Sequence, residues 1–205
     1  KDEINMSSFI IADCHIGHVG MTKFTKEDGS KLRPWDTIEE HDQALIDNWN
    51  SVVNDQDLVY ILGDATINNK HIHRLRELRG RKKLVMGNHD TGTIADYLEA
   101  GIESLHGSIE LKKYSIILSH IPVHVGQIRR YTGGNIHGHL HSGRVLSGRQ
   151  IKVAPSKYEP WGLSQPLLLV DVPDTRYLCV SCEHINFTPI NLEKAIELIQ
   201  EQQNV

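Results

Sequence analysis

Apolar runs in this chain are short, and several stop abruptly at an acid, an amide or an imidazole. Ser7-Ser-Phe-Ile-Ile-Ala-Asp13 reads as a buried strand, Leu58-Val-Tyr-Ile-Leu62 as a second ending in Gly63-Asp64, and Lys83-Leu-Val-Met86 as a third ending in Gly87-Asn-His-Asp90. Unbroken apolar runs of this length, bounded by turn residues, fit strands covered on both faces. Helical patterns lie between them. Thr37 to Val53 carries Ile38, His41, Leu45, Ile46, Trp49 and Val53 on one stripe, with Thr37 as cap and Glu40 three residues on. Asn69 to Leu78 reads as a basic amphipathic helix, and Thr93 to Ala100 as a short helix closed by Gly101. Residues 16–36 are polar and irregular, too long for a plain connection, and are expected to form a functional loop.

Further on, the pattern becomes strand-rich. Ser108–Leu111 and Tyr114–Leu118 read as paired strands around Lys112-Lys113, and Asn135–His137 as another strand end. Val145–Val153, Leu167–Val172 and Tyr177–Val180 are further strand candidates, and Asn191–Gln202 is a closing helix capped by Asn191. Helices alternating with the early strands predict an α/β layered sandwich, with a ligand site at the carboxyl ends of the early parallel strands. Residues 1–205 are expected to form one domain, with 143–173 as an insertion.

Composition narrows the function. With 39% hydrophobic and 23% charged residues the chain is an ordinary globular one, and its formal charge of −4 argues against broad, sequence-independent binding of extended nucleic acid. No apolar run is long enough to span a membrane. The start, Lys1 to Met6, is charged rather than signal-like, and Cys14, Cys179 and Cys182 are an odd set that fits a reducing compartment, so a cytoplasmic location is expected. Cys179-Val-Ser-Cys182 reads as strand, where positions i and i+3 face opposite sides, so these are expected to be small buried residues. Thirteen histidines in 205 residues point instead to a metal site or acid–base chemistry.

Ligand-type residues gather at the strand ends. Asp13-Cys-His15 and His139-Leu-His141 each place two candidates on one side of an extended chain. Asp64 follows Gly63, Asn88 and His89 follow Gly87, and His120 follows Ser119. Nitrogen and oxygen ligands without cysteine suit two divalent first-row ions better than a structural zinc. Two such ions roughly 3.5–4 Å apart can share a water, lower its pKa and aim it at phosphorus.

The order D-x-H, GD, GNHD, H, GHxH over residues 7–141 resembles the calcineurin-like metallophosphoesterase family. His15-Ile-Gly-His18, Asn48-Trp-Asn50 and Asn186-Phe-Thr-Pro-Ile190 resemble its short bacterial and phage members. The resemblance implies a four-layer αββα sandwich of two mixed sheets flanked by helices. It implies one ion on Asp13, His15, Asp64 and His141, and a second on Asp64, Asn88, His120 and His139, with Asp64 bridging. His89 would contact the scissile phosphate and assist the leaving group rather than bind metal. The implied activity is hydrolysis of a small phosphodiester or phosphomonoester, nucleotide-like, by a hydroxide shared between two metal ions. Mn²⁺ is the expected metal, with Fe, Zn, Ni or Mg as substitutes, and diesters are expected to be preferred.

Around this set, His18 and Arg33 in the long loop, and Arg129, Arg130 and Tyr131 between His120 and His139, are candidate substrate contacts. Asp90 either orients the His89 ring or serves as a cap. The run Gly63-Asp64-Ala65-Thr66-Ile67-Asn68 departs from the phosphoprotein phosphatase branch of the family. Tyr158-Glu-Pro-Trp161 is a Pro/aromatic stretch that would cover the site or mediate self-association. Two other readings stand beside the small-substrate esterase: a nuclease acting on DNA or RNA ends, and a non-catalytic protein-binding scaffold.

Overall fold

A computed structural model describes residues 6–26, 28–152 and 167–204. Two mixed sheets carry the fold. The first has the order β11-β1-β2-β3-β4, from β1 (Ser8–Ile11), β2 (Leu58–Leu62), β3 (Arg81–Val85), β4 (Ile102–His106) and β11 (Ile190–Asn191). Strands β1 to β4 are parallel and only β11 runs against its neighbour. The second has the order β10-β7-β6-β5, from β5 (Ile109–Leu111), β6 (Ile116–Ser119), β7 (Gly134–His137) and β10 (Tyr177–Cys179), with β5 alone antiparallel. A separate antiparallel hairpin joins β8 (Leu146–Lys152) to β9 (Leu167–Pro173), in register from Leu146↔Pro173 to Lys152↔Leu167. It occupies the segment expected as an insertion; Val153 and Tyr158–Trp161 lie outside the described residues.

Alternation along the strands builds two cores. One face of the first sheet, with Ile11, Val59, Ile61, Leu84 and Ile102, is covered by helix α1 (Ile38–Val52), a 3₁₀ segment (Asn69–Glu77) and helix α2 (Ile94–Glu99). The opposite face, with Ile10, Ala12, Leu62 and Val85, packs on Ile116, Leu118 and Ile136 of the second sheet. Helix α4 (Leu192–Gln203) closes this inter-sheet layer with Leu192, Ala195, Ile196 and Ile199. On the second sheet's other side, the segment before the one-turn helix α3 (Val125–Ile128) is tied down by Asn135 and Tyr177. Asn135 Oδ1 accepts from the Val123 N–H at 2.9 Å, and the Tyr177 hydroxyl donates to Val123 O at 2.8 Å. No helix is long and apolar enough to cross a membrane among the described residues.

Helix α1 starts as its sequence dictates: Thr37 and Glu40 form a reciprocal capping box, and Glu39 and Glu40 sit against the positive end of the helix dipole. Trp49 is buried in its core-facing stripe and donates its Nε1–H to Arg79 O at 2.9 Å.

Several elements differ from expectation, among them the following. The segment after Asn68 is 3₁₀ rather than α-helical. Its buried Ile72, Leu75 and Leu78 recur every third residue, which is the period at which a 3₁₀ helix stacks side chains on one face. Strand β4 was not anticipated from the sequence. The Cys179–Cys182 stretch is not one strand: β10 stops at Cys179, Ser181 bridges to Ala12, and a 3₁₀ turn begins at Cys182. All three cysteines are free and buried.

Candidate metal centre

The candidate ligands stand on the carboxyl ends of five parallel strands, β1, β2 and β3 in one sheet and β6 and β7 in the other. Beyond β1 and β2 the backbones stay paired: Asp13 N donates to Gly63 O at 3.0 Å and His15 N to Asp64 O at 2.9 Å. These loops are bent hard. Asp13, His15, Asp64, His139 and His141 all have φ between 50° and 71°, five of the eight non-glycine residues with positive φ among those described. Each such residue costs on the order of 1–3 kcal/mol, and strain of this kind concentrates where side chains must converge. Gly138 permits the convergence, because a Cβ there would lie 2.6 Å from Asp13 Oδ2 and from Ala12 Cβ.

Two groups result. Asp13, His15 and His141 bring ligand atoms within 4.8 Å of one another, and Asp64, His120 and His139 do the same. Asp64 joins them: its Oδ2 is 3.5 Å from His15 Nε2 and 3.4 Å from His120 Nε2. His120 Nε2 also faces Asn88 Oδ1 at 3.0 Å and His139 Nδ1 at 3.2 Å, while its Nδ1 is 2.9 Å from Leu62 O. Leu62 O accepts only, so Nδ1 carries the proton and the Nε2 lone pair points into the group. The rings of His15 and His141 stack with centroids 5.1 Å apart.

Cations fit this donor set. Asp13 Oδ1 and both ring nitrogens of His15 are buried without a hydrogen-bond partner. Orphaned buried acceptors are costly in a folded protein and call for an ion or other partner. Burial raises the Asp13 carboxyl above its ordinary range, whereas burial and then the Arg33 charge push His15 down to about 2. For Asp64 burial acts upward, but the facing His120 ring and the bond from the His89 N–H outweigh it and hold the acid at about 2. Burial acts downward on His120 and His141, yet the Asp64 and Glu183 carboxylates respectively raise both.

The remaining sequence candidates fall in varied places. His89 lies beside the first group, its ring 5.3 Å from that of His15, and its N–H donates to Asp64 Oδ1 at 2.9 Å. His18 sits over His15 at 5.5 Å and 6.3 Å from His89. Arg33 is 0% exposed and lies beneath the ligands, donating to Asp13 O at 2.5 Å and Cys14 O at 2.9 Å, so its guanidinium faces the protein interior. Arg129 and Arg130 are exposed at the end of α3 with Tyr131 following, and none of the three side chains bonds to a candidate ligand among the described residues. Asp90 is buried and does not orient the His89 ring. Its carboxylate accepts the N–H groups of Asp64 at 2.7 Å, Gly87 at 2.9 Å and Ala65 at 3.1 Å, tying the β2 loop to the β3 loop.

Two polar residues near the ligands were missed from the sequence. Ser181 donates to Asp13 Oδ2 at 2.7 Å, and buried Glu183 lies 3.2 Å from His141 Nδ1. Neither belongs to a motif; both follow a strand end that the apolar pattern obscures. A groove of about 430 Å³ opens beside the second group, lined in part by Met86, Asn88, Ser108, His120, Ile121 and Val123. A larger cavity of about 570 Å³ lies near the root of the β8–β9 hairpin, and no candidate ligand lines it.

No family model matches the chain. The crystal structure of the protein of unknown function AQ665 from Aquifex aeolicus covers 95% of this chain and 100% of its own, with a TM-score of 0.57 at 21% identity, which shows a shared fold. The uncharacterized protein MJ1445 of Methanocaldococcus jannaschii is 28% identical over 196 residues, covering 94% of this chain and 90% of that protein. The gene 66 protein of Mycobacterium phage L5 is 31% identical over 193 residues, covering 76% of this chain and 88% of that protein. At that identity and coverage, the chain belongs to the family of the phage L5 gene 66 protein.

Proposed function

We propose that the protein is a metal-dependent phosphoesterase with a dinuclear centre, acting on a small phosphodiester or phosphomonoester with a nucleotide-like substituent. One observation carries this reading: a single oxygen, Asp64 Oδ2, faces both ligand groups at 3.5 and 3.4 Å. A carboxylate in that position suits a bridge between two cations. Asp13, His15, His141 and Asp64 would hold one, and Asp64, Asn88, His120 and His139 the other. When bound, the pair supplies Lewis acidity toward water and neutralises charge on the phosphoryl oxygens. An N/O donor set suits Mn²⁺-class ions.

The chain's own groups do the rest. His89 stands partly exposed beside the first group, with its backbone pinned to Asp64, and is placed to pass a proton to a departing alkoxide. His18 narrows the same mouth from the loop side. The 430 Å³ groove beside Asn88 and His120 is the place for the ester substituent, since mixed apolar and polar clefts of this size hold small organic groups.

The test is a calorimetric titration of chelator-stripped protein with Mn²⁺, followed by assays on chromogenic diesters and monoesters, cyclic nucleotides, dinucleotides and oligonucleotides. Two ions per chain and Mn²⁺-dependent turnover are expected, with diesters cleaved faster than monoesters. Asp64→Asn should remove the second ion and the turnover together. A protein that binds no Mn²⁺, or an Asp64→Asn variant with unchanged turnover, would sink the proposal.

A further inference from the structure

A line of ionisable side chains runs from the surface to His141. Arg74 Nη1 donates to Asp42 Oδ2 at 2.5 Å, and Asp42 Oδ1 is 2.8 Å from His41 Nδ1. Arg33 Nη1 is 2.7 Å from His41 Nε2, and Arg33 Nε donates to Glu183 Oε1 at 2.8 Å. The same Glu183 oxygen is 3.2 Å from His141 Nδ1. Side chains of Arg33, His41, Asp42 and Glu183 are at most 4% exposed.

The proton positions along this line follow from what each group can do. Arginine only donates, so His41 Nε2 accepts and its Nδ1–H donates to Asp42. Ionised Glu183 only accepts, so the His141 proton sits on Nδ1 and donates to Glu183. That leaves the Nε2 lone pair of His141 free for the Asp13–His15 group. The second group is oriented differently, by the backbone oxygen of Leu62 on His120.

We infer that Glu183, held by Arg33, is the positioning residue of the Asp13–His15–His141 site: it fixes the His141 tautomer and sets cation affinity at that site alone. The inference rests on the dinuclear reading proposed above. Carboxylates behind a ligating imidazole fix its ring and raise its basicity, and their loss typically weakens metal binding about 10–100-fold. Glu183 has a second effect. Arg33 carries a buried positive charge hydrogen-bonded to the backbone of Asp13 and Cys14, and the Glu183 carboxylate cancels that charge before it can repel a cation.

Glu183→Gln and Glu183→Asp test this. Glutamine keeps an acceptor but loses the charge; aspartate keeps the charge opposite Arg33 and withdraws the oxygen from His141, so it remains informative if the glutamine variant fails to fold. Chelator-stripped wild type and variants are titrated with Mn²⁺, reading free Mn²⁺ by electron paramagnetic resonance alongside calorimetry. One binding step should weaken about 10–100-fold while the other stays unchanged. In parallel, ¹⁵N long-range correlation spectra of the cation-free protein should show His141 as the Nδ1–H tautomer in wild type and as a mixture in Glu183→Asp, which withdraws the acceptor and is the variant whose tautomer is read. Equal weakening of both steps, no weakening, or an unaltered tautomer would overturn the positioning role while leaving the metal centre intact. A wild type that binds no Mn²⁺ would overturn the dinuclear reading and this inference with it.

Discussion

Replacing Asp90 with alanine removes one carboxylate and strands three backbone donors at once. The Asp64, Gly87 and Ala65 N–H groups all end on Asp90, which is only 5% exposed. A buried donor left unsatisfied costs about 1–3 kcal/mol. The low end applies, because burial also raises the Asp90 carboxyl, so deleting it relieves a desolvation cost that offsets part of the loss. Three donors at about 1 kcal/mol each give about 3 kcal/mol. In a chain of this length that lowers the melting temperature by about 6–12 °C. The assay is thermal unfolding of chelator-stripped Asp90→Ala against wild type, so that cation binding does not enter. If Asp90 instead served the His89 ring, stability would hold and only turnover would fall. A melting temperature within about 2 °C of wild type would therefore refute the loop-tying role.

Other outcomes follow from the same geometry. His89→Ala keeps the backbone N–H that binds Asp64, so Mn²⁺ stoichiometry should persist while turnover falls about 10²–10⁴-fold; wild-type turnover would remove His89 from proton transfer. Gly138→Ala drives a Cβ against Asp13 Oδ2, and titration calorimetry should show cation binding lost or severely weakened in a folded protein. The Arg176 fork on Asp174, at 2.9 and 2.6 Å, holds that carboxyl below its ordinary 3.8. A depressed acid stabilises above its unfolded pKa and loses that contribution as pH falls through the folded value. Asp174→Asn should therefore lower stability modestly at pH 7, by under about 1 kcal/mol given the half-open Arg176, and flatten the acid limb of a denaturation-versus-pH curve below pH 4. An unchanged acid limb would refute it.

The ligand scaffold was legible because backbone and chemistry agree there. An apolar run ending in Asp13, Asp64, Asn88 or His120 carries both the strand and the residue at its carboxyl end. What the sequence hid is set by tertiary contact. Glu183 acquires its place only because β10 stops short, and the stop is enforced by Ser181 reaching Asp13, a contact 168 residues away along the chain. Arg33 reads as a phosphate fork on a polar loop, yet the fold turns it under the ligands, where two backbone carbonyls and Glu183 take its protons. Positive φ at Asp13, His15, Asp64, His139 and His141 has no glycine to announce it. The 3₁₀ segment is visible in the spacing of Ile72, Leu75 and Leu78, a strict repeat of three rather than the mixed three-and-four spacing of an amphipathic α-helix.

Each ligand group draws from both sheets: Asp13 and His15 meet His141 across the layer boundary, and Asp64 meets His120 and His139. Ions seated there would act as rivets between the two halves of the sandwich. Every ion bound only by the folded chain, at a hundredfold excess over its dissociation constant, adds about 2.7 kcal/mol to stability. Starving the protein of cations would then reach beyond the proposed activity: the seam itself would loosen, so the folded population would track the supply of the ions that fill these two groups.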